Sequence, residues 1–344
     1  MAVYTTIDKP TDYFNIKLYT GTGSSNSITG IGFAPDWVWI RNRAASHHMI
    51  FDKVRGAGKV MYTNLTDAET TVSGHLTSFD SDGFTLGDNS GKGSSNGNTE
   101  SYVAWNWLAG GSGSSNTDGD QTTTVSASTT AGFSICTFTE AGSAPYSFGH
   151  GLGVEPDVVW FKSRGATGSW QVYFKALGSP SGKLLQVNST NAVNTSSTWW
   201  GTINSSIVTI NAGLITPNTT ALAYCFAEKQ GYSKFGTYTG NGNADGTFVY
   251  TGFKPAFVII KDTSSTDPWH MIDNKRSPIN LVNARLFPNN NNSENTSADI
   301  CDFVSNGIKF KGTNDGFNGS RNYMYMAFAE SPFVNSKKVP NNAR

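Results

Sequence analysis

The chain has 344 residues, of which 15% are charged, and its 25 Lys plus Arg balance 25 Asp plus Glu. Such a neutral chain exerts no general pull on nucleic acid or acidic membrane surfaces. No apolar run approaches the ~18 residues that cross a bilayer as a helix.

Residues 1–12 read as a short polar arm. They have neither the basic start nor the apolar run of a signal peptide, which points to synthesis and folding in a cytoplasm. A strand and a Gly-rich turn follow at Lys17-Leu-Tyr-Thr-Gly-Thr-Gly23, and then a strand opened by proline, Pro35-Asp-Trp-Val-Trp-Ile-Arg41. Proline is tolerated at the first residue of a strand, where no ladder donor is lost. The residues after it are β-branched and aromatic without polar alternation, so this strand is expected to be covered on both faces. Further strands are expected at His48-Met-Ile-Phe-Asp52, Asp82-Gly-Phe-Thr-Leu86 and Tyr102-Val-Ala-Trp-Asn-Trp-Leu-Ala109. The Asp-Gly pair supplies the positive φ of a tight hairpin.

The same order recurs twice. Proline strands stand at Pro156-Asp-Val-Val-Trp-Phe-Lys162 and Pro255-Ala-Phe-Val-Ile-Ile-Lys261. Closing strands stand at Ala221-Leu-Ala-Tyr-Cys-Phe-Ala-Glu228 and Tyr323-Met-Tyr-Met-Ala-Phe-Ala-Glu330. From proline to closing strand the three spacings are 67, 65 and 68 residues, the mark of an internal repeat. Six or seven strands per ~100 residues, with frequent turn signals, is the pattern of an antiparallel sandwich. The expected fold is all-β, with three tandem antiparallel β-sandwich modules of about 100 residues. Their expected bounds are 13–110, 132–230 and 234–333, with a Gly/Ser/Thr linker at 111–131 and a tail at 334–344. The linker composition reads as flexible, which would set repeat 1 apart from a fixed pair of repeats 2 and 3.

Ser78-Phe-Asp-Ser-Asp-Gly-Phe-Thr-Leu-Gly87, followed by Tyr102-Val-Ala-Trp-Asn-Trp-Leu-Ala-Gly-Gly111, resembles a repeat of virion structural proteins from marine tailed bacteriophages. The run from Tyr325 to Arg344 resembles the ending of many of those proteins, so the likeness spans nearly the whole chain. Repeat 2 departs most, with Ser205 and Ser206 where repeat 1 has Asp82 and Gly83. The resemblance implies a non-enzymatic component of a phage particle, in a tail, fibre or head-decoration position, with a share in host attachment. It would assemble in the host cytoplasm with other virion proteins. Copies of itself are expected partners too, as a trimer by analogy with phage fibres. Two other readings stand beside this one, a host-surface glycan-binding module and a polysaccharide-degrading tail enzyme.

Few residues carry a pattern of chemistry. Trp199 and Trp200 fall in a variable segment between expected strands, and are the candidate binding residues, for a protein interface or a glycan. The alternative is that they fold onto their own core. Trp37, Trp39, Trp105, Trp107 and Trp160 recur at matching strand positions and are assigned to the core. Asp52 and Asp273 are the repeat-equivalent acids a glycosidase would need, but repeat 2 has Phe174 there and no partner acid is visible. Asn241-Gly-Asn-Ala-Asp-Gly246 imitates half a calcium loop, with Gly252 where the bidentate Glu belongs, so it reads as a turn. Asp80 to Gly83 reads as a hairpin. His47 and His48 point to opposite faces of a strand, and the histidines are expected at surfaces or in loops. Three cysteines, Cys136, Cys225 and Cys301, make no disulfide framework, though a Cys136–Cys225 bridge is geometrically open. No catalytic residue, metal ligand or cofactor is assigned.

Overall fold

The computed structural model describes residues 4–140, 143–178, 182–196, 198–211 and 218–342. The fold is all-β and antiparallel; its only helical pieces among the described residues are 3-10 turns at Pro10–Asp12 and Lys175–Leu177. Among the described residues six sheets form, three large and three of three strands each.

In each large sheet the closing strand lies between the opening strand and the proline strand. The closing strands are Ser101–Trp107, Thr220–Phe226 and Asn322–Pro332. The opening strands are Phe14–Thr20, Phe133–Thr139 and Ser233–Thr239. The proline strands cover Trp37–Asn42, Val158–Ser163 and Phe253–Asp262. A strand at Met49–Asp52, Gln171–Phe174 or His270–Asp273 follows on the outside. Each small sheet is a hairpin plus a returning strand: Asn26–Thr29 with Gly83–Leu86 and Leu76–Asp80 in repeat 1. Tyr146–Gly149 and Asp245–Tyr250 begin the other two.

The proline strands are apolar on both faces because both are covered. Val38 and Ile40 pack with Phe84 and Leu86 of the small sheet, whereas Trp37 and Trp39 point the other way, into a core shared by all three repeats. That shared core joins Trp105 and Trp107 of repeat 1, Trp160 and Phe226 of repeat 2, and Phe257 and Phe328 of repeat 3, all at most 2% exposed. Ring centroids lie 4.4 Å apart for Trp37 and Trp107, 5.7 Å for Trp39 and Trp160, and 6.1 Å for Phe226 and Phe328. The void at the middle is about 10 Å3, lined by aromatic and aliphatic side chains, and offers a ligand neither room nor polar partners.

Two expectations on organisation are corrected here. Repeat 1 is not set apart, because its large sheet supplies part of the same core. The Gly/Ser/Thr stretch expected as a flexible linker carries strands Ser114–Asn116 and Thr123–Ser128, which pair with each other and then with Phe133–Thr139. Ser, Thr and Gly lowered its apparent order, but Val125 alternates inward and packs on the repeat 2 core.

The residue after each proline decides how the chain leaves the closing strand. Asp36 accepts from Ala109 N at 2.8 Å and Gly111 N at 3.1 Å, and Asp157 accepts from Glu228 N at 2.7 Å, turning the chain toward the next repeat. Repeat 3 has Ala256 there, and its closing strand runs straight on until Pro332 pairs with Phe253.

Candidate functional site

Trp199 and Trp200 are core residues. They are 6% and 0% exposed, and their rings lie 5.9 Å from Phe161 and 6.0 Å from Tyr173. The binding assignment is therefore corrected: Trp200 opens a strand, Trp200–Ile203, rather than lying between strands. The signal that hid this strand was its turn. With Ser205 and Ser206 in place of Asp-Gly, Asn204 makes the hairpin by accepting from Ser206 N at 2.9 Å and Ile207 N at 3.0 Å.

Four of the five histidines are buried, against the surface or loop expectation: His48, His75, His150 and His270 are at most 3% exposed. Burial pushes the pKa of each down. They hold polar neighbours in place; Trp39 Nε1 donates to His48 Nδ1 at 3.1 Å, and His270 Nε2 lies 3.0 Å from Asp267. In the Asn241 loop, Asn241 Oδ1 accepts from Asn243 N at 3.0 Å and Asn318 Nδ2 at 3.1 Å, so amides already use its oxygen. Among the described residues no three His, Cys, Asp or Glu side chains gather as metal ligands would. Cys136 and Cys225 are free thiols, both buried.

The strongest concentration of buried charge lies at the seams between repeats. Asp52 pairs with Arg55, which reaches Glu69 at 3.1 Å; Glu69 then holds Arg164 of repeat 2 at 2.8 Å. Tyr224 of repeat 2 donates to Asp52 at 2.7 Å. The seam between repeats 3 and 1 repeats this set. Asp273 pairs with Arg276 at 2.6 Å, Arg276 with Glu294 at 3.1 Å, and Glu294 with Arg43 at 2.5 Å. Trp105 of repeat 1 donates to Asp273 at 3.2 Å. Burial alone would lower the pKa of Arg55, but Asp52, Tyr224 and Glu69 hold it above the ordinary value. Asp52 and Asp273 are thus saturated by arginine and closed to solvent, with none of the open aromatic cleft that glycoside hydrolysis needs.

The seam between repeats 2 and 3 has the same backbone and none of this Asp–Arg–Glu–Arg network. Glu69 N donates to Arg164 O at 2.8 Å, Glu294 N to Arg43 O at 2.8 Å, and Val193 N to Thr263 O at 3.1 Å. The positions of Asp, Arg, Glu, Arg and the neighbouring donor are here Phe174, Leu177, Val193, Thr263 and Met326. Phe174, Leu177, Val193 and Met326 belong to the shared core or pack against it. A buried cation crosses every seam: Arg41 donates to Asn292 O, Lys162 to Thr66 O at 2.8 Å, and Lys261 to Thr190 O at 3.1 Å. Burial lowers both lysines to about 8 and Arg41 to about 10. Each repeat therefore grips its neighbour, and the three contacts close a ring.

The chain belongs to the DUF7483 family. Its model, described as a domain of unknown function, matches residues 9–332, a span that takes in all three repeats. No curated protein and no solved structure matches the chain. As a member of DUF7483, the chain has as its candidate site whatever surface the ring leaves open.

That surface is clearest along the outer side of repeat 3. A cleft of about 290 Å3 lies between the opening strand and the small sheet, lined by Tyr4, Glu228, Gln230, Lys234, Tyr250 and Thr251 among others. Beside it Phe248 and Tyr250 are 47% and 52% exposed, both on strand Asp245–Tyr250. The N-terminal arm, described from Tyr4 on, lines this cleft. Tyr4 Oη donates to Gly252 O at 2.7 Å, Thr5 Oγ1 donates to Gln230 O at 2.9 Å, and Ile7 is buried in the shared core. Asp8 accepts from Ser336 N at 2.6 Å, and Asn341 Nδ2 donates to Ser331 O at 3.1 Å. Among the described residues, arm and tail are tied to each other, to Gln230 and to repeat 3 of their own chain.

Proposed function

We propose that the chain is a non-enzymatic structural component of a tailed-phage particle, assembled in the host cytoplasm beside other virion proteins. The observation that carries this reading is how the polar chemistry is used. The buried acids Asp52 and Asp273 and the buried cations Arg55, Arg276, Lys162 and Lys261 all serve seams between repeats. The result is a scaffold whose buried charges hold its repeats together, consistent with the resemblance of its repeats to virion structural proteins. The glycan-binding alternative loses the residues it rested on, since Trp199 and Trp200 lie in a core. A trimer rests on the fibre analogy alone.

Mass spectrometry of density-purified particles tests the role. The chain is expected at a fixed copy number per particle; its presence in the lysate but not in washed particles would overturn the proposal.

A further inference from the structure

The three opening strands are equivalent edges of equivalent sheets, and the chain treats each differently. In repeat 2 the edge is occupied: Thr123–Ser128 pairs antiparallel with Phe133–Thr139, placing Val125 opposite Cys136. Gln121 N then donates to Ser147 O at 3.0 Å, closing the gap to the small sheet. In repeat 1 the place of Cys136 is taken by Lys17, a charge on the sandwich-facing side of the edge. Inward lysines of this kind block strand addition. In repeat 3 the same place is Gly236, which brings no side chain, and Tyr325 from the cross-strand position presents its ring there.

The repeat 3 edge is also open in its backbone. Ser233–Thr239 has one ladder neighbour, Asn322–Pro332. Gly240 N donates to Arg321 O on that side, so by strand alternation the Thr237 and Thr239 amides point away from it. The N-terminal part of the edge is capped, with Phe235 N donating to Glu228 at 3.4 Å and Lys234 paired to Glu228 at 2.6 Å. At the other end Thr239 O accepts from Thr247 Oγ1 at 2.9 Å, which leaves the Thr237 amide and carbonyl and the Thr239 amide as the open groups, beside the cleft and the exposed Phe248 and Tyr250.

We infer that this edge receives an extended, uncharged Ser/Thr-rich strand from a partner protein, added antiparallel along Gly236–Thr239. The chain's own Thr123–Ser128 shows the chemistry that this sheet edge accepts. Backbone hydrogen bonds supply the affinity, and a small apolar residue at alternate positions faces the sandwich. The identity of the partner as a virion protein rests on the proposed function; the edge itself does not.

The test uses the full chain and a synthetic peptide with the sequence of residues 121–128. Millimolar peptide is expected to slow amide exchange at Thr237 and Thr239 by roughly tenfold, leaving the other edges unchanged. Thr237→Pro removes an outward amide without touching the ladder, a substitution edge strands tolerate. It is expected to abolish that protection while the thermal midpoint stays where it was. Thr237→Lys gives a second block that keeps the backbone amide. Absence of protection, or protection that survives both variants, would overturn the inference. Self-association of the chain alone that Thr237→Pro abolishes would overturn the partner assignment in favour of a second copy. Particle composition and peptide binding are separate readouts, so either proposal can fail alone.

Discussion

At the residue scale the two charged seams and the apolar one are a comparison made within one chain. Asp52, Arg55, Glu69, Arg164 and Tyr224 change together into Phe174, Leu177, Val193, Thr263 and Met326 at matching positions. A buried ion pair stabilises little relative to well-packed apolar residues, whereas removing one partner strands the other charge in the interior. Asp52→Ala should therefore cost about 3–5 kcal/mol, because Arg55 would remain buried with Glu69 as its one carboxylate and Tyr224 would lose its acceptor. The combined set Asp52→Phe, Arg55→Leu, Glu69→Val, Arg164→Thr and Tyr224→Met, copied from the third seam, should recover most of that loss. Urea denaturation of the two variants decides it: a combined set no more stable than the single variant would show that the seams are not interchangeable. The sequence pairs Asp52 with Asp273, shows Phe174 as the exception and offers no partner acid for catalysis, but it does not show the seam the acids serve. Each acid's arginine, Arg55 or Arg276, lies only three residues on, but the donors Tyr224 and Trp105 come from other repeats, and no spacing rule links such residues.

At the element scale, strands built on strong alternation or on an apolar run were legible, and strands built on small polar residues were not. The proline and closing strands carry Trp, Val, Ile and Phe, which report burial directly. Thr123–Ser128 carries one large apolar side chain, Val125, and its order comes from pairing with a neighbour rather than from its own composition. Trp200–Ile203 was missed for a related reason, since Asn204 makes its turn without glycine. The covering strand gives a direct measurement. Val125 lies over Cys136, which is fully buried. Val125→Asp puts an unpaired charge against the repeat 2 core, so the strand should lift while the central core holds. A thiol reagent applied to the native chain should label none of the three cysteines, and in Val125→Asp it should label Cys136 alone. Equal labelling of Cys301 would mean global unfolding rather than a lifted strand.

At the scale of the whole molecule, the repeat and its strand order were readable, but the closing of the repeats around one core was not. Each large sheet shows an apolar outer face that a single-sandwich reading assigns to its own interior. Trp37, Trp107, Trp160, Phe257 and Phe328 instead fill one shared centre. Cutting the chain between repeats would expose that centre and open two seams at once. Independent sandwiches on linkers would unfold in separate steps, since few contacts cross a true domain boundary. The ring should unfold as one unit, with calorimetric and van't Hoff enthalpies in agreement. The isolated segments 13–110 and 234–333 should lack cooperative melting, because each would leave one face of its large sheet uncovered. Repeat 2 is the closest to an exception, as its edge is already covered by the strand of Val125, yet Trp160 and Phe226 still face the shared centre. Three resolved calorimetric transitions, or a single segment that melts sharply on its own, would mean that the shared core is a contact between finished domains rather than the interior of one.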